Sequence, residues 1–275
     1  MTNFGVEPLL DFLVAKAAPP AGRKSEGEIE RFVFPEDSEF SAMIFKIQAN
    51  MNPRHRDSIA FMRVVSGKFE RGMSVKIARN GQTLKLAKPH SFIAQERSIV
   101  EEAWPGDIVG LYDPGKLHIG DTLSADGSIH YAGIPRFAPA YFGRFILREP
   151  LKRKALDAGL EHLALEGVIQ LFYPELGGGA GDVFLGAVGL LQFEVLKERL
   201  ASEYNVKAQF ESLNFQHARW VGGADSGLQW LKERRDFTLC KDRNDRYVLL
   251  SNTMWPLNHA LETAPGLELY AIEPI

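Results

Sequence analysis

The sequence predicts two regions of different fold class: a small β barrel, then an α+β region of split βαβ (ferredoxin-like) units. Three observations carry this. Between Phe40 and Tyr112, short apolar stretches recur with turn residues between them and no helical periodicity. After Gly127, strand-like and helix-like stretches alternate in the order βαββαβ. The chain has 275 residues, 45% hydrophobic and 24% charged, which is enough for two proper cores in a globular protein.

Residues Gly5 to Val14 read as one short amphipathic helix, with Val6, Leu9, Leu10 and Leu13 spaced i, i+3, i+4 and i+7. Ala18-Pro19-Pro20 stops it. Residues 21–31 are polar and mixed in charge, so they read as a linker. A lone helix followed by a linker is expected where a preceding domain ends. Residues 1–36 are therefore assigned to the last helix of such a domain plus its linker.

Residues 37–127 are the expected barrel. Phe40 to Ile47 and Ile59 to Val65 have strand composition, and Ser66-Gly67 turns the chain. Met73 to Ile77 alternates, and Asn80-Gly81 forms a hairpin before Thr83 to Leu86. His90–Ala94, Ser98–Ala103 and Asp107–Tyr112 are further strands. Closure into a barrel would remove the exposed edges of so many short strands.

Residues 128–275 are the expected α+β domain, with a first unit over 128–215 and a second over 216–275. In the first, Tyr141–Leu147 is a strand and Pro150–Glu166 a helix with proline in its first turn. Val168–Tyr173 and Val183–Val188 are strands, Leu190–Tyr204 a helix and Val206–Phe210 a strand. In the second, the same order is expected over Ala218–Val221, Asp225–Arg235, Phe237–Cys240, Tyr247–Leu250, Thr253–Thr263 and Leu267–Ile272. Pro256 fits the last helix only in its first turn.

The totals restrict function. A net charge of −3 excludes a uniform basic field, so nucleic-acid contact must come from local patches. One cysteine, Cys240, permits no disulfide framework and no cysteine-based zinc site, which fits the cytosol. The seven histidines are scattered without a metal-ligand spacing. No apolar run is long enough to span a bilayer.

Gly110 to Lys116 (GLYDPGK) satisfies the spacing of a phosphate-binding loop, G-x-x-x-x-G-K. Its context does not. Leu117 stands where a Ser or Thr should hold Mg²⁺, Gly120 where the helix should begin, and Pro114 lacks an N–H. Asp107 to Gly110 matches D-x-x-G but precedes the loop, and N-K-x-D is absent. The stretch reads as a turn between strands. Gly177 to Asp182 also lacks a following Lys and reads as a hairpin loop.

Several stretches carry a resemblance. Arg63-Val64-Val65-Ser66-Gly67, Gly72-Met73, Pro105 to Gly110 and Ile119 to Leu123 resemble the second domain of translational GTPases. Phe45 to Met51, His55-Arg56-Asp57, Ala60 to Lys68, Gly186 to Val195, Arg199-Leu200 and Glu203 to Val206 are similar to the bacterial peptide chain release factor 3 family. In elongation factor G and ribosomal protection proteins the corresponding run is G-E-L-H-L-E; here Gly189 to Glu194 read G-L-L-Q-F-E. The similarity fades after about Gly222.

The resemblance implies a translation-factor barrel and a ribosome-directed role in termination. The family's full protein begins with a GTP-binding domain, and Phe4 to Pro20 resembles that domain's final helix. The family binds the ribosome after peptide release, removes the class I release factor and leaves on GTP hydrolysis. This chain is expected to keep the docking half, with no catalytic residue and no cofactor or metal of its own; GTP and Mg belong to the full-length parent. The implied partners are the ribosome (rRNA and small-subunit proteins), class I release factors and the GTP-binding domain, in the cytoplasm, with no membrane or DNA.

Candidate contacts follow from residue type and place. Arg54, His55, Arg56 and Asp57 form a polar loop between two strands, suited to phosphate recognition or equally to an internal Arg–Asp pair. Arg63 and Lys68 flank the Ser66-Gly67 turn and can serve a ligand or pair with carboxylates. Lys152, Arg153 and Lys154 open a helix, where cations oppose the macrodipole. That mild cost fits a binding patch, with Arg144 and Arg148 nearby, or a solvated face. Gln192 and Glu194 read as surface or packing positions on a helix. Two other functions compete: a standalone RNA-binding barrel, for which Phe45, Phe61 and Phe69 would have to stack on bases, and a piece of an elongation or ribosome-protection GTPase.

Overall fold

The computed structural model describes residues 4–26, 31–48, 58–87, 89–93, 96–175 and 183–274. The chain forms two compact units, one of residues 1–46 and 59–133, the other of residues 47–58 and 134–275.

The first unit starts with helix α1 (Val6–Lys16), none of whose residues is buried. Strands β1 (Arg23–Ser25) and β2 (Arg31–Val33) then pair antiparallel. The residues expected to be linker thus carry a strand pair. Its anchors are Ser25 and Val33, both buried; Val33 packs with Met43, Val65, Ile129 and Tyr131.

The barrel strands follow: β3 (Ser41–Gln48), β4 (Ser58–Ser66), β5 (Phe69–Glu70), β6 (Ser74–Ile77), β7 (Thr83–Lys85), β8 (Pro89–Ile93), β9 (Glu96–Ile99), β10 (Glu102–Ala103), β11 (Ile108–Asp113) and β12 (Thr122–Ser124). Eight of them make one sheet in the order β7-β6-β12-β3-β4-β11-β8-β9. The remaining two, β5 and β10, pair with each other. Since β5 runs into β6 near one end of that order, and β9 runs into β10 at the other, this pair ties the ends together. The interior is what alternation dictates: Met62 and Val64 on β4, Val75 and Ile77 on β6, and Val109 and Leu111 on β11 are all buried. Gly67 makes the β4–β5 turn with φ 64°, and a Cβ there would lie 2.7 Å from the Glu39 carbonyl oxygen. No other residue fits that turn without strain.

This unit runs on to Gly133, past the expected boundary at 127. The reason is a buried hydroxyl network: Ser41 Oγ lies 2.6 Å from both Ser66 Oγ and the Tyr131 hydroxyl. The Tyr131 N–H donates to Thr122 Oγ1 at 3.0 Å. Burial raises the Tyr131 phenol above its ordinary value.

The second unit contains β13 (Tyr141–Leu147), α2 (Arg153–Leu165), β14 (Gln170–Pro174), β15 (Phe184–Ala187), α3 (Leu191–Tyr204) and β16 (Ala208–Leu213). After these come β17 (His217–Gly223), α4 (Asp225–Lys232), β18 (Thr238–Lys241), β19 (Tyr247–Ser251), α5 (Trp255–Thr263) and β20 (Leu267–Tyr270). This is the split βαβ order twice. Pro256 does sit in the first turn of α5. The strands form one sheet, β16-β13-β15-β14-β18-β19-β17-β20, so the two repeats meet through the second strand of each.

Alternation gives this sheet two apolar faces. Leu171, Leu185 and Ala187 join Leu156, Leu160, Leu163, Phe193, Leu196 and Leu200 of α2 and α3. Leu239, Leu249 and Leu267 join Leu231, Leu257 and Ala260 of α4 and α5. The intervening residues Phe172, Phe184, Cys240, Val248 and Leu250, with Phe142 and Trp220, form a third cluster away from the helices, drawn from both repeats. Each large side chain removed from water there contributes about 1.5–3 kcal/mol.

Candidate interaction surface

The GLYDPGKL stretch settles its own chemistry. Strand β11 ends at Asp113, whose carboxylate is buried. Its Oδ1 accepts the Lys116 N–H at 2.8 Å and its Oδ2 the Leu117 N–H at 3.0 Å. Gly115 turns with φ 94°. The N–H groups that a phosphate would need are therefore directed at a carboxylate of the chain itself. Burial pushes the Asp113 carboxyl above its ordinary value against those hydrogen bonds. Beyond the turn, Asp121 takes a two-pronged pair from Arg79, at 2.7 and 3.0 Å, and the His118 N–H at 2.8 Å. Among the described residues no group of three His, Cys, Asp or Glu could hold a metal ion.

Of the expected contacts, Arg54, His55, Arg56 and Asp57 lie outside the described residues. Arg63 is on β4 between buried Met62 and Val64, so its side chain is exposed. Lys68 is held: its Nζ is 2.6 Å from Glu102 and 3.1 Å from Glu70, and 5.5 Å from the Trp104 ring centre. These hydrogen bonds raise its pKa, Glu102 most. Lys68 thus joins β5 to β10 across the tie of the barrel.

Pro150–Lys152 forms one 3-10 turn that leads into α2. Arg153 Nε donates to both oxygens of Asp157, at 2.8 and 3.0 Å, one turn further on. Arg144 pairs with Glu211 at 2.6 Å. Lys154 and Arg148 are exposed and Lys152 half-buried; in sequence they flank Leu151, which is almost fully exposed. None of these three cations has an ion-pair partner among the described residues.

Gln192, in the first turn of α3, is a clamp. Its Oε1 accepts the Val188 and Gly189 N–H groups at 2.8 and 2.9 Å, and its Nε2 donates to the Val168 carbonyl at 2.9 Å. It satisfies two donors in the residues leading into α3 and fastens them to the approach to β14. Phe193 beside it is buried, with its ring 4.6 Å from Phe210.

Two further places bear on chemistry. A cleft of the second unit, bounded by Phe137, Gln170, Trp220 and Glu273, has no Ser, Thr, Cys, His or Lys in its lining. Its Asp242 accepts the Trp220 indole N–H at 3.0 Å, and its Arg243 donates to Glu161 at 2.9 Å. The aromatic groups required of an RNA-binding barrel are not presented as stacking plates. Phe69 is fully buried, and Phe45 and Phe61 are half-buried, with Lys46 lying over Phe61. Sequence reasoning missed a string of aromatic and guanidinium groups on and beside α4 and α5, of which Trp255 and Arg234 are exposed and Trp230, His259 and Arg219 half-buried. Their i, i+4 spacing was the available signal.

Comparison with known proteins agrees with the two-part architecture. Residues 131–261 match the family "Class II release factor RF3, C-terminal domain", and residues 39–126 match "Elongation factor G domain 2". Peptide chain release factor 3 of Symbiobacterium thermophilum is 46% identical over 271 residues, which is 97% of this chain and 50% of that protein. The chain therefore spans about half the length of this curated relative. A solved crystal structure from Thermus thermophilus shares the fold, with a TM-score of 0.57 and 21% identity over 80% of this chain and 32% of that one.

Proposed function

Because the chain belongs to the peptide chain release factor 3 family of translation factors, we propose that it is the ribosome- and release-factor-directed portion of such a factor. On this reading it docks on rRNA and small-subunit proteins in the cytoplasm. A GTP-binding domain, with its GTP and Mg, supplies the energy for removing a class I release factor. The observation that carries the reading is the match of residues 131–261 to the family's C-terminal domain, at 46% identity to a named member across nearly the whole chain. The exposed cations Arg63, Arg148 and Lys154, with the half-buried Lys152, give it local positive charge on a chain of net charge −3. The Asp113-filled turn supports assigning nucleotide chemistry elsewhere.

Sedimentation of the purified chain with ribosomes, with and without a class I release factor, tests this. The expected result is co-sedimentation that the release factor alters. Absence of the chain from the ribosome pellet at low salt would refute the docking role. Magnesium-dependent GTP hydrolysis by the chain alone would refute the division of labour.

A further inference from the structure

We propose that α4 and α5 carry a stacking site for an unpaired nucleobase of RNA, centred on Trp255. This deepens the ribosome-directed reading and rests on it only for the source of the RNA. Helix α5 buries Pro256, Leu257 and Ala260 yet leaves Trp255 66% exposed. The Trp255 ring lies on His259, one turn along, at 5.2 Å between centres and 9° between planes. His259 meets the Trp230 ring of α4 edge-on at 6.4 Å. Trp230 in turn lies under the Arg234 guanidinium, 4.4 Å from the ring centre. At the other end, Met254, immediately before Trp255, is 3.8 Å from Arg219 Nη2.

The result is one continuous string, Arg219, Met254, Trp255, His259, Trp230, Arg234, with a guanidinium at each end. Neither arginine has a carboxylate partner among the described residues; Arg219 otherwise donates only to the Ala218 carbonyl. A flat ring with an open face accepts any base, and flanking guanidinium groups suit the phosphates on either side. Glu262, Glu233 and Asp236 are also exposed close by in sequence, so this is a narrow strip rather than a basic field. Stacking should therefore dominate, with a shallow salt dependence. An exposed tryptophan can also anchor a protein partner; the parallel histidine and the two guanidinium groups without carboxylates favour RNA.

The test uses fluorescence anisotropy of a labelled oligouridylate with the purified chain, and a duplex of equal length as control. The chain should bind the single strand in preference to the duplex. Trp255→Leu, which keeps apolar bulk without a plane, should weaken binding about tenfold. Trp255→Phe should retain most of it, and R219A and R234A should each weaken it several-fold. Should Trp255→Leu melt early by circular dichroism, His259→Ala serves instead, because it removes the second ring while leaving Trp255. Oligouridylate binding unchanged by Trp255→Leu or His259→Ala would overturn the proposal. So would loss of ribosome sedimentation in Trp255→Leu with no oligonucleotide binding by the parent chain, which would assign the strip to a protein surface. Oligonucleotide binding through Trp255 by a chain that never sediments with ribosomes would instead overturn the ribosome-directed reading and leave this site standing.

Discussion

Replacing Asp113 by alanine separates a structural turn from a phosphate loop. The wild-type carboxylate accepts two backbone N–H groups, from Lys116 and Leu117, while itself only 2% exposed. Hydrogen bonds to a charged group contribute about 1.5–3 kcal/mol each, an upper bound of about 3–6 kcal/mol for the pair. Two effects reduce it: burial penalises the carboxylate, and the Lys116 N–H lies near the surface. A net loss of about 2–4 kcal/mol remains, which lowers the melting temperature by roughly 6–12 °C for a unit of this size. The exposed Lys116 side chain takes no part, so K116A should cost less than about 0.5 kcal/mol. Thermal melts followed by circular dichroism decide. The reasoning fails if K116A destabilises more than D113A, because a phosphate loop depends on its lysine. The pH dependence carries a sign. Burial raises the Asp113 carboxyl above its ordinary 3.8, so the folded state holds its proton more tightly than the unfolded chain. Its contribution is fully present below about 3.8 and is lost as pH rises through the folded value. D113N should flatten that part of the pH–stability curve.

Three further outcomes are expected. Gln192→Ala removes three hydrogen bonds at the start of α3, so it should cost about 1–2 kcal/mol and speed hydrogen exchange at Val188 and Gly189; unchanged exchange there would deny the clamp. Cys240 is fully buried, and burial pushes its thiol up to about 12. It should resist a thiol reagent in the native chain and react fully in urea, and fast native labelling would contradict the burial. Charge reversal at Lys152, Arg153 and Lys154 should weaken ribosome binding and reduce its salt dependence; binding unchanged across a salt series would clear this patch of any role.

Strands and helices with strong periodicity were legible. Tyr141–Leu147 is a strand in the structure with those same bounds. In the weakly patterned α5 a proline fits only the first turn, and Pro256 is found there. What stayed hidden depends on distant partners. Arg23–Ser25 and Arg31–Val33 are too short and polar to read as strands, and they exist because each supplies the other's hydrogen bonds. The reach of the first unit to Gly133 depends on Tyr131 meeting Ser41 across 90 positions of chain. Ser98–Ala103 reads as one strand, yet it divides into β9 and β10 because the second part pairs with β5. The candidate contacts stand out in the sequence by charge, and charge alone does not say which cations are spent. Lys68 and Arg153 hold carboxylates, whereas Arg63, Lys152 and Lys154 hold none among the described residues. The Trp255–His259 spacing was readable, but a sequence does not tell an exposed ring from a buried one.

The seam between the two repeats of the second unit is narrow: Tyr173 pairs with Lys241 and Pro174 with Cys240. Beside it lies a cluster to which one repeat supplies Phe142, Phe172 and Phe184, and the other Trp220, Val248 and Leu250. Cutting the chain near residue 215 would therefore not release two small domains. Each piece would bare one open strand edge, that of β14 or β18, beside an uncovered aromatic face, the combination that recruits strands from other molecules. The repetition is architectural rather than modular: two copies of one motif, each with its own helix-covered core, share a third cluster. Neither copy can be lost, exchanged or grafted elsewhere without the other.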